Sequence, residues 1–207
     1  MKINLSKLKI INLKKINRKE SNEIINLLLR ENPSALLASL RVKDIKNFFL
    51  KSAKSKKAMI YILKYKKKTI AYALIIKEIK YLTQLINGSK LIIFINLIKE
   101  FKFLSLINIF ISYFKLDLYF LSKLKKKLIN ENYNLNLLAV NKDFQSIGLG
   151  SFFLKKIFKS LKSSKYITVE TISDMAYNFY EKKHDFKYLG PKIRGFKNLK
   201  ILYKKNN

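Results

Sequence analysis

Apolar residues recur at two periods along this chain, and the switches between them mark out its elements. Lys9–Ile16 alternates loosely, which predicts a first strand. In Glu20–Asn32 the apolar positions Ile24, Ile25, Leu28 and Leu29 follow helical spacing, and Pro33 stops the run. Val42–Ala53 repeats that spacing, with Val42, Ile45, Phe48 and Phe49 on one face. Ala58–Tyr65 and Thr69–Ile79 are rich in Ile, Tyr and Ala, and Lys66–Lys68 forms a turn between them. That pattern predicts a hairpin. Leu82–Glu131 is long, rich in Leu, Ile and Phe and free of proline, which predicts two or three helices.

The last third is more sharply punctuated. Leu135–Val140 reads as a strand, a short loop carries Gly148 and Gly150, and Ser151–Lys162 is amphipathic, with Phe152, Phe153, Ile157, Phe158 and Leu161 inward. Tyr166–Ile172 is another strand. Asp174–Lys183 is a helix capped by Asp174 or Ser173. Phe186–Leu189 and Leu199–Tyr203 are closing strands, joined by a turn at Gly190-Pro191 and the segment around Gly195. The order β-loop-α-β-α-β-β belongs to α/β proteins.

At 207 residues and 49% hydrophobic content, the chain suits one domain, or one domain with an insertion. It has no cysteine and one histidine, His184, which excludes a disulfide scaffold, a cysteine nucleophile and a cysteine-ligated zinc. A Ser-His-Asp triad would need His184 as its base; as the only histidine, beside lysines, it reads as an exposed turn residue. No metal site is expected.

The formal net charge is +31, from 44 Lys+Arg against 13 Asp+Glu. On its own this points to nucleic acid or an acidic membrane surface. But only Arg18, Arg30, Arg41 and Arg194 are arginines, and a phosphate-reading surface favours the arginine fork. Lysine is abundant beside Ile, Asn, Phe and Tyr, all with AT-rich codons, so the basicity reads largely as genome composition. A direct nucleic-acid role is disfavoured, while anionic ligands should still be drawn in. The start of the chain is punctuated by lysines and lacks a secretory h-region. The longest charge-free piece of the apolar region Leu91–Leu121, Phe103 to Phe114, falls short of the about 20 residues that a spanning helix needs. A cytoplasmic location is expected.

The candidate chemistry lies in Leu137–Leu154, LLAVNKDFQSIGLGSFFL. Two of the chain's five glycines, Gly148 and Gly150, fall in one loop between a strand and a helix. A helix N-terminus offers unpaired N–H groups and the positive end of the dipole, and glycines let the backbone approach a phosphate. The loop reads as an anion cradle or as a plain tight turn. It is neither a Walker loop nor a full GxGxxG fingerprint.

Val140, Gln145, Gly148 and Gly150, in the spacing V-x4-Q-x2-G-x-G, resemble the acetyl-CoA signature of the GNAT acetyltransferase superfamily. The run Val169 to Lys182, VETISDMAYNFYEK, is similar to that family's V-x-x-x-N-x-x-A-x-x-hydrophobic-Tyr-Glu-Lys. Lys142 stands where a proline is common, Ser173 where asparagine is usual, and His184-Asp185-Phe186 where Gly-Phe is expected. The resemblance is specific over Leu135–Gly190 and architectural upstream.

The resemblance implies a GNAT-like mixed α/β fold, with a mostly antiparallel central sheet flanked by helices. It implies one acyltransferase domain over residues 1–207, with a helical insertion at about 82–131. It also implies acetyl-CoA as co-substrate, bound in a splayed cleft between two strands, and direct transfer of acetyl to a primary amine. By position, the amides of Ser146, Ile147, Gly148, Leu149, Gly150 and Ser151 would hold the diphosphate, with Gln145 opening the loop and Ser173 on the coenzyme side. The N–H of Val140 or its neighbour would polarise the thioester carbonyl, and Tyr180 would protonate the departing thiolate. Glu170 and, less so, Glu78 are the candidate bases. The insertion would serve as a lid, a peripheral membrane or lipid-substrate surface, an enlarged core or a homodimer contact. The acceptor is open, with an amino sugar among the candidates. A catalytically silent CoA- or partner-binding protein and a basic RNA- or ribosome-associated protein are the alternatives.

Overall fold

The computed structural model describes residues 5–33, 35–77, 122–161, 165–194 and 197–206. In chain order the elements are β1 (Leu8–Leu13), α1 (Arg18–Glu31), α2 (Val42–Lys54), β2 (Ala58–Tyr65), β3 (Lys68–Ile76) and α3 (Lys123–Glu131). They continue with β4 (Tyr133–Val140), α4 (Leu149–Lys159), β5 (Tyr166–Thr171), α5 (Asp174–His184), β6 (Lys187–Arg194) and β7 (Lys197–Lys205). The strand order is β1-β2-β3-β4-β5-β7-β6. β4 and β5 are parallel, whereas β1/β2, β5/β7 and β6/β7 are antiparallel. This is the mixed, mostly antiparallel sheet with flanking helices that the family resemblance implies.

The chain divides into two compact units, Met1–Ile75 with Asn136–Leu161, and Ile76–Leu135 with Lys162–Asn207. In the first unit α1 begins earlier than its apolar spacing suggests. Asn17 and Glu20 form a capping box: Asn17 Oδ1 accepts from the Glu20 N–H at 2.8 Å, and Glu20 Oε2 accepts from the Asn17 N–H at 3.3 Å. β2 and β3 are joined by Lys66 and Lys67 alone, a two-residue connection that only antiparallel strands can use. β3 is buried from Thr69 to Ile76, as a strand covered on both faces must be. Phe49 of α2 meets Tyr72 of β3 edge-on at 6.0 Å. Both are fully buried, as are Ile24, Leu28, Ile45 and Phe153. Burying a side chain of this size contributes about 1.5–3 kcal/mol.

In the second unit Ile129 of α3 packs with Leu189 and Ile201, against Leu128 and Tyr203. Here one expectation is corrected. Gly190-Pro191 is no turn: β6 runs through it to Arg194, with a register shift between Tyr188 and Gly190 and with Pro191 opposite Lys200. Proline lacks the N–H of an interior strand but is tolerated on an edge or beside a bulge, and β6 has both. Of the expected insertion 82–131 only residues 122–131 are described, and Lys123–Glu131 is helical. The rest of it, with Glu78 and the segment around Gly195, lies outside the described residues. Among the described residues no helix is long and apolar enough to cross a membrane.

Candidate functional site

In the first unit, β4 ends at Val140 and the chain turns into a loop fixed at several points. The buried Asn141 donates its N–H to the Ile70 carbonyl of β3 at 2.8 Å, and its Oδ1 accepts from the Asp143 N–H at 3.0 Å. A single 3-10 turn, Lys142–Phe144, follows, with the Phe144 ring set against Tyr65 at 6.0 Å. Gln145 Nε2 donates to the Val140 carbonyl at 2.7 Å and to Glu31 Oε2 at 3.3 Å. Glu31 Oε1 accepts from the Lys142 N–H at 3.1 Å and is paired with Arg30 at 2.7 Å.

Gln145 therefore closes the loop back on β4, and Glu31 braces both. Sequence reasoning missed Glu31. It is the last residue of α1, and only the packing of that helix brings it to a loop 111 positions further on.

Beyond Gln145 the backbone enters the left-handed region twice, at Ser146 (φ 63°) and Gly148 (φ 82°). Gly148 is the N-cap of α4. Gly148 caps this helix without a side-chain hydrogen bond, and the first turn carries no acid, so the positive end of the helix dipole is open to an anion. A Cβ built on Gly148 would meet nothing within 4 Å, so the glycine faces open space. Ile147 beside it is 46% exposed. The predicted loop residues Gln145, Ser146, Ile147, Gly148, Leu149, Gly150 and Ser151 thus lie together at one helix end, adjoining Val140. The arrangement can hold a phosphorylated ligand.

The second unit holds the other predicted residues. Ser173 is the N-cap of α5, its hydroxyl accepting from the Ala176 N–H at 3.4 Å. Tyr180 is buried, with ring contacts to Phe179 at 5.2 Å and Phe186 at 5.5 Å. Burial pushes its phenol well above the ordinary tyrosine range. The neutral, proton-bearing form is therefore the one held. His184 corrects the exposed-turn expectation. It is 3% exposed and packs on Phe179 at 4.8 Å, while its carbonyl accepts from Lys204 Nζ at 2.8 Å. The reason is that α5 runs on to His184, and Asp185 takes the left-handed cap position (φ 56°). Asp tolerates that conformation better than most residues, so Asp185-Phe186 does the work expected of Gly-Phe.

Glu170 on β5 accepts from Lys192 Nζ of β6 at 2.9 Å, with side-chain exposures of 12% and 10%. β4 and β5 form ladder pairs from Tyr133/Ile167 to Leu135/Val169, and β5 then continues past Glu170 to Thr171. Glu170→Gln would take the carboxylate charge out of this nearly dry ion pair. The expected loss is about 3 kcal/mol, much of it recovered in the Glu170→Gln/Lys192→Met double variant. Urea unfolding of the three proteins measures it; equal stabilities would show that the pair is solvated and worth little.

No protein-family model and no curated protein sequence matches the chain. Solved structures do match its fold. The histone acetyltransferase HPA2 and related acetyltransferase of Corynebacterium glutamicum superposes with a TM-score of 0.59 at 12% identity, covering 97% of each chain. A GNAT-family acetyltransferase of Streptococcus agalactiae gives 0.58 at 11% identity, covering 97% of this chain and 96% of that one. The ribosomal-protein-S18-alanine N-acetyltransferase of Escherichia coli gives 0.54 at 12% identity, covering 97% and 94%. At such identities the likeness establishes the fold: the chain has the GNAT acyl-CoA N-acyltransferase fold.

Proposed function

We propose that this chain is an acetyl-CoA-dependent N-acetyltransferase, acting on a primary amine. The observation that carries the reading is Gly148: a left-handed glycine at an uncapped helix N-terminus, facing open space, in a loop pinned by Asn141, Gln145 and Glu31. The N–H groups from Ser146 to Ser151 hold the coenzyme diphosphate. The N–H at Val140 or its neighbour polarises the thioester carbonyl, a contribution of the oxyanion-hole kind. The acceptor nitrogen attacks that carbonyl carbon and the C–S bond breaks. Tyr180 gives its proton to the departing sulfur, and the amine proton leaves to a base.

Glu170 is the carboxylate offered for that last step, through water, although protonating it would break its bond to Lys192. That ion pair is also what favours a second reading, a protein that binds acetyl-CoA without transferring its acetyl group. Among acceptors, the positive field of the chain disfavours a polyamine and favours an anionic one, such as a nucleotide-linked amino sugar. Residues 82–131 we read as a helical insertion in a single acyltransferase domain, available for a homodimer or a membrane-surface contact.

Calorimetric titration with acetyl-CoA tests the proposal. Saturable binding at a micromolar dissociation constant, roughly −8 kcal/mol, is expected. Thiol release on adding an amine panel then separates the enzyme from the silent binder, and no binding at moderate salt would overturn both.

A further inference from the structure

The positive charge of this chain is spread over so many lysines that their number says little, but at one place in the first unit their arrangement is informative. The register of β1 on β2 sets Lys9 directly opposite Lys64. Residues two apart on a strand share a face, so Lys9 and Ile11 share one face of β1, while Lys66 lies two beyond Lys64. Together with Lys7 and Lys67 these four line a hollow of about 400 Å3. Like charges directly opposite on a ladder repel. Lys64 is answered by Glu20, whose Oε1 accepts from its Nζ at 2.8 Å. Lys7, Lys9, Lys66 and Lys67 are exposed and form no ion pair among the described residues.

The hairpin turn sets the rest of the lining. Lys66 and Lys67 both hold positive φ, 48° and 70°, where glycine or asparagine sits at far lower cost. That geometry is what a two-residue hairpin connection requires. Lys66 and Lys67 both line the hollow, and the Lys66 ammonium lies 5.6 Å from the Tyr65 ring centroid.

We propose that this hollow binds a linear oligophosphate, at a site separate from the loop around Gly148 and independent of the acyltransferase reading. Ammonium groups are compact point charges without the planar fork of arginine, so they suit a dense, freely rotating anion. The lining holds one apolar residue, Ile11, and no aromatic ring on which a base would stack. It is therefore the phosphate chain that is recognised. A free oligophosphate and the tail of a nucleoside triphosphate share that chemistry. The bound anion offsets the crowding of Lys7, Lys9, Lys66 and Lys67 and so stabilises the fold by linkage.

The test is titration of tripolyphosphate and of ATP, at fixed ionic strength, into four proteins: the unmodified chain, Lys9→Gln/Lys67→Gln, Lys67→Gly and Gly148→Glu. In the unmodified chain, tripolyphosphate is expected to bind at least as tightly as ATP and to raise the melting temperature. The loop at Gly148 can also take these anions, so a second class of binding that Gly148→Glu alone removes is expected. Binding at the hollow should weaken at least tenfold in the double variant, measurably in Lys67→Gly, and persist in Gly148→Glu. Lys67→Gly removes backbone strain along with the charge, so it stays folded even if the double variant does not. Four results would overturn the site: unchanged binding in both lysine variants, loss of all binding in Gly148→Glu, no preference over sulfate, or displacement by single-stranded RNA at lower phosphate concentration. An ATP affinity far above that of tripolyphosphate would overturn phosphate-chain recognition.

Discussion

Replacing Gly148 by glutamate is expected to abolish measurable acetyl-CoA binding while leaving the protein folded. The fold tolerates the change because a Cβ at this position meets nothing within 4 Å. What remains is the cost of holding an L-residue at φ 82°, about 1–2 kcal/mol. The macrodipole partly offsets that cost, since a carboxylate at a helix N-terminus is worth about 0.3–1 kcal/mol. The ligand fares differently, because the new charge occupies the place its diphosphate needs. Two unit charges 4 Å apart repel by about 4 kcal/mol at an effective dielectric near 20, close to a thousandfold in affinity. Gly148→Ala carries the same backbone strain without the charge and should stay within about tenfold of the unmodified protein. Calorimetry on the three proteins, with a melting curve for each, separates strain from charge. A glutamate variant that binds as before would show that the diphosphate does not lie at this loop.

Tyr180→Phe is expected to lower kcat by about 10²–10³-fold with little change in KM, because the lost proton is needed only as the C–S bond breaks. The buried ring stays where it is, since Phe179 and Phe186 pack against it edge-on. The hydroxyl forms no hydrogen bond among the described residues, so its removal should leave stability unchanged or slightly raised. The pH dependence follows from the raised phenol. An unfolded tyrosine ionises near about 10, whereas folded Tyr180 keeps its proton above that. The unfolded state therefore binds fewer protons above about pH 10, and the folded state loses stability as pH rises beyond it. Buried Tyr72 acts in the same direction. Below that pH, kcat should show no alkaline limb from Tyr180. A variant with full kcat would remove the phenol from the mechanism and favour the silent coenzyme binder.

Much of this was legible from local pattern. The helical spacing of Ile24, Leu28, Ile45 and Phe49, the unbroken apolar run of β3 and the lysine turn before it all describe short-range preferences that the fold keeps. So does the loop at Gly148, where the demand for positive φ falls on a residue that meets it without strain. Boundaries were less legible. The capping box at Asn17 and Glu20 starts α1 before its first apolar position, and α5 extends through His184 because Asp185 can close it. Gly190-Pro191 signals a turn in any local window, yet β6 runs through it. Its tolerance inside β6 depends on strand order, which no local window contains.

The sequence by itself determined the periodicity of the helices and strands, the hairpin and the loop that caps α4. These rest on interactions within a few residues, where dihedral preference and side-chain spacing decide. The tertiary structure alone decided that Glu31 braces the loop at Lys142 and Gln145, that Glu170 is tied to Lys192, and that Lys9 lies opposite Lys64. Each of these joins distant stretches of chain. Their approach is dictated by which apolar faces pack and which strands pair, and the charged groups are carried to one another as a consequence.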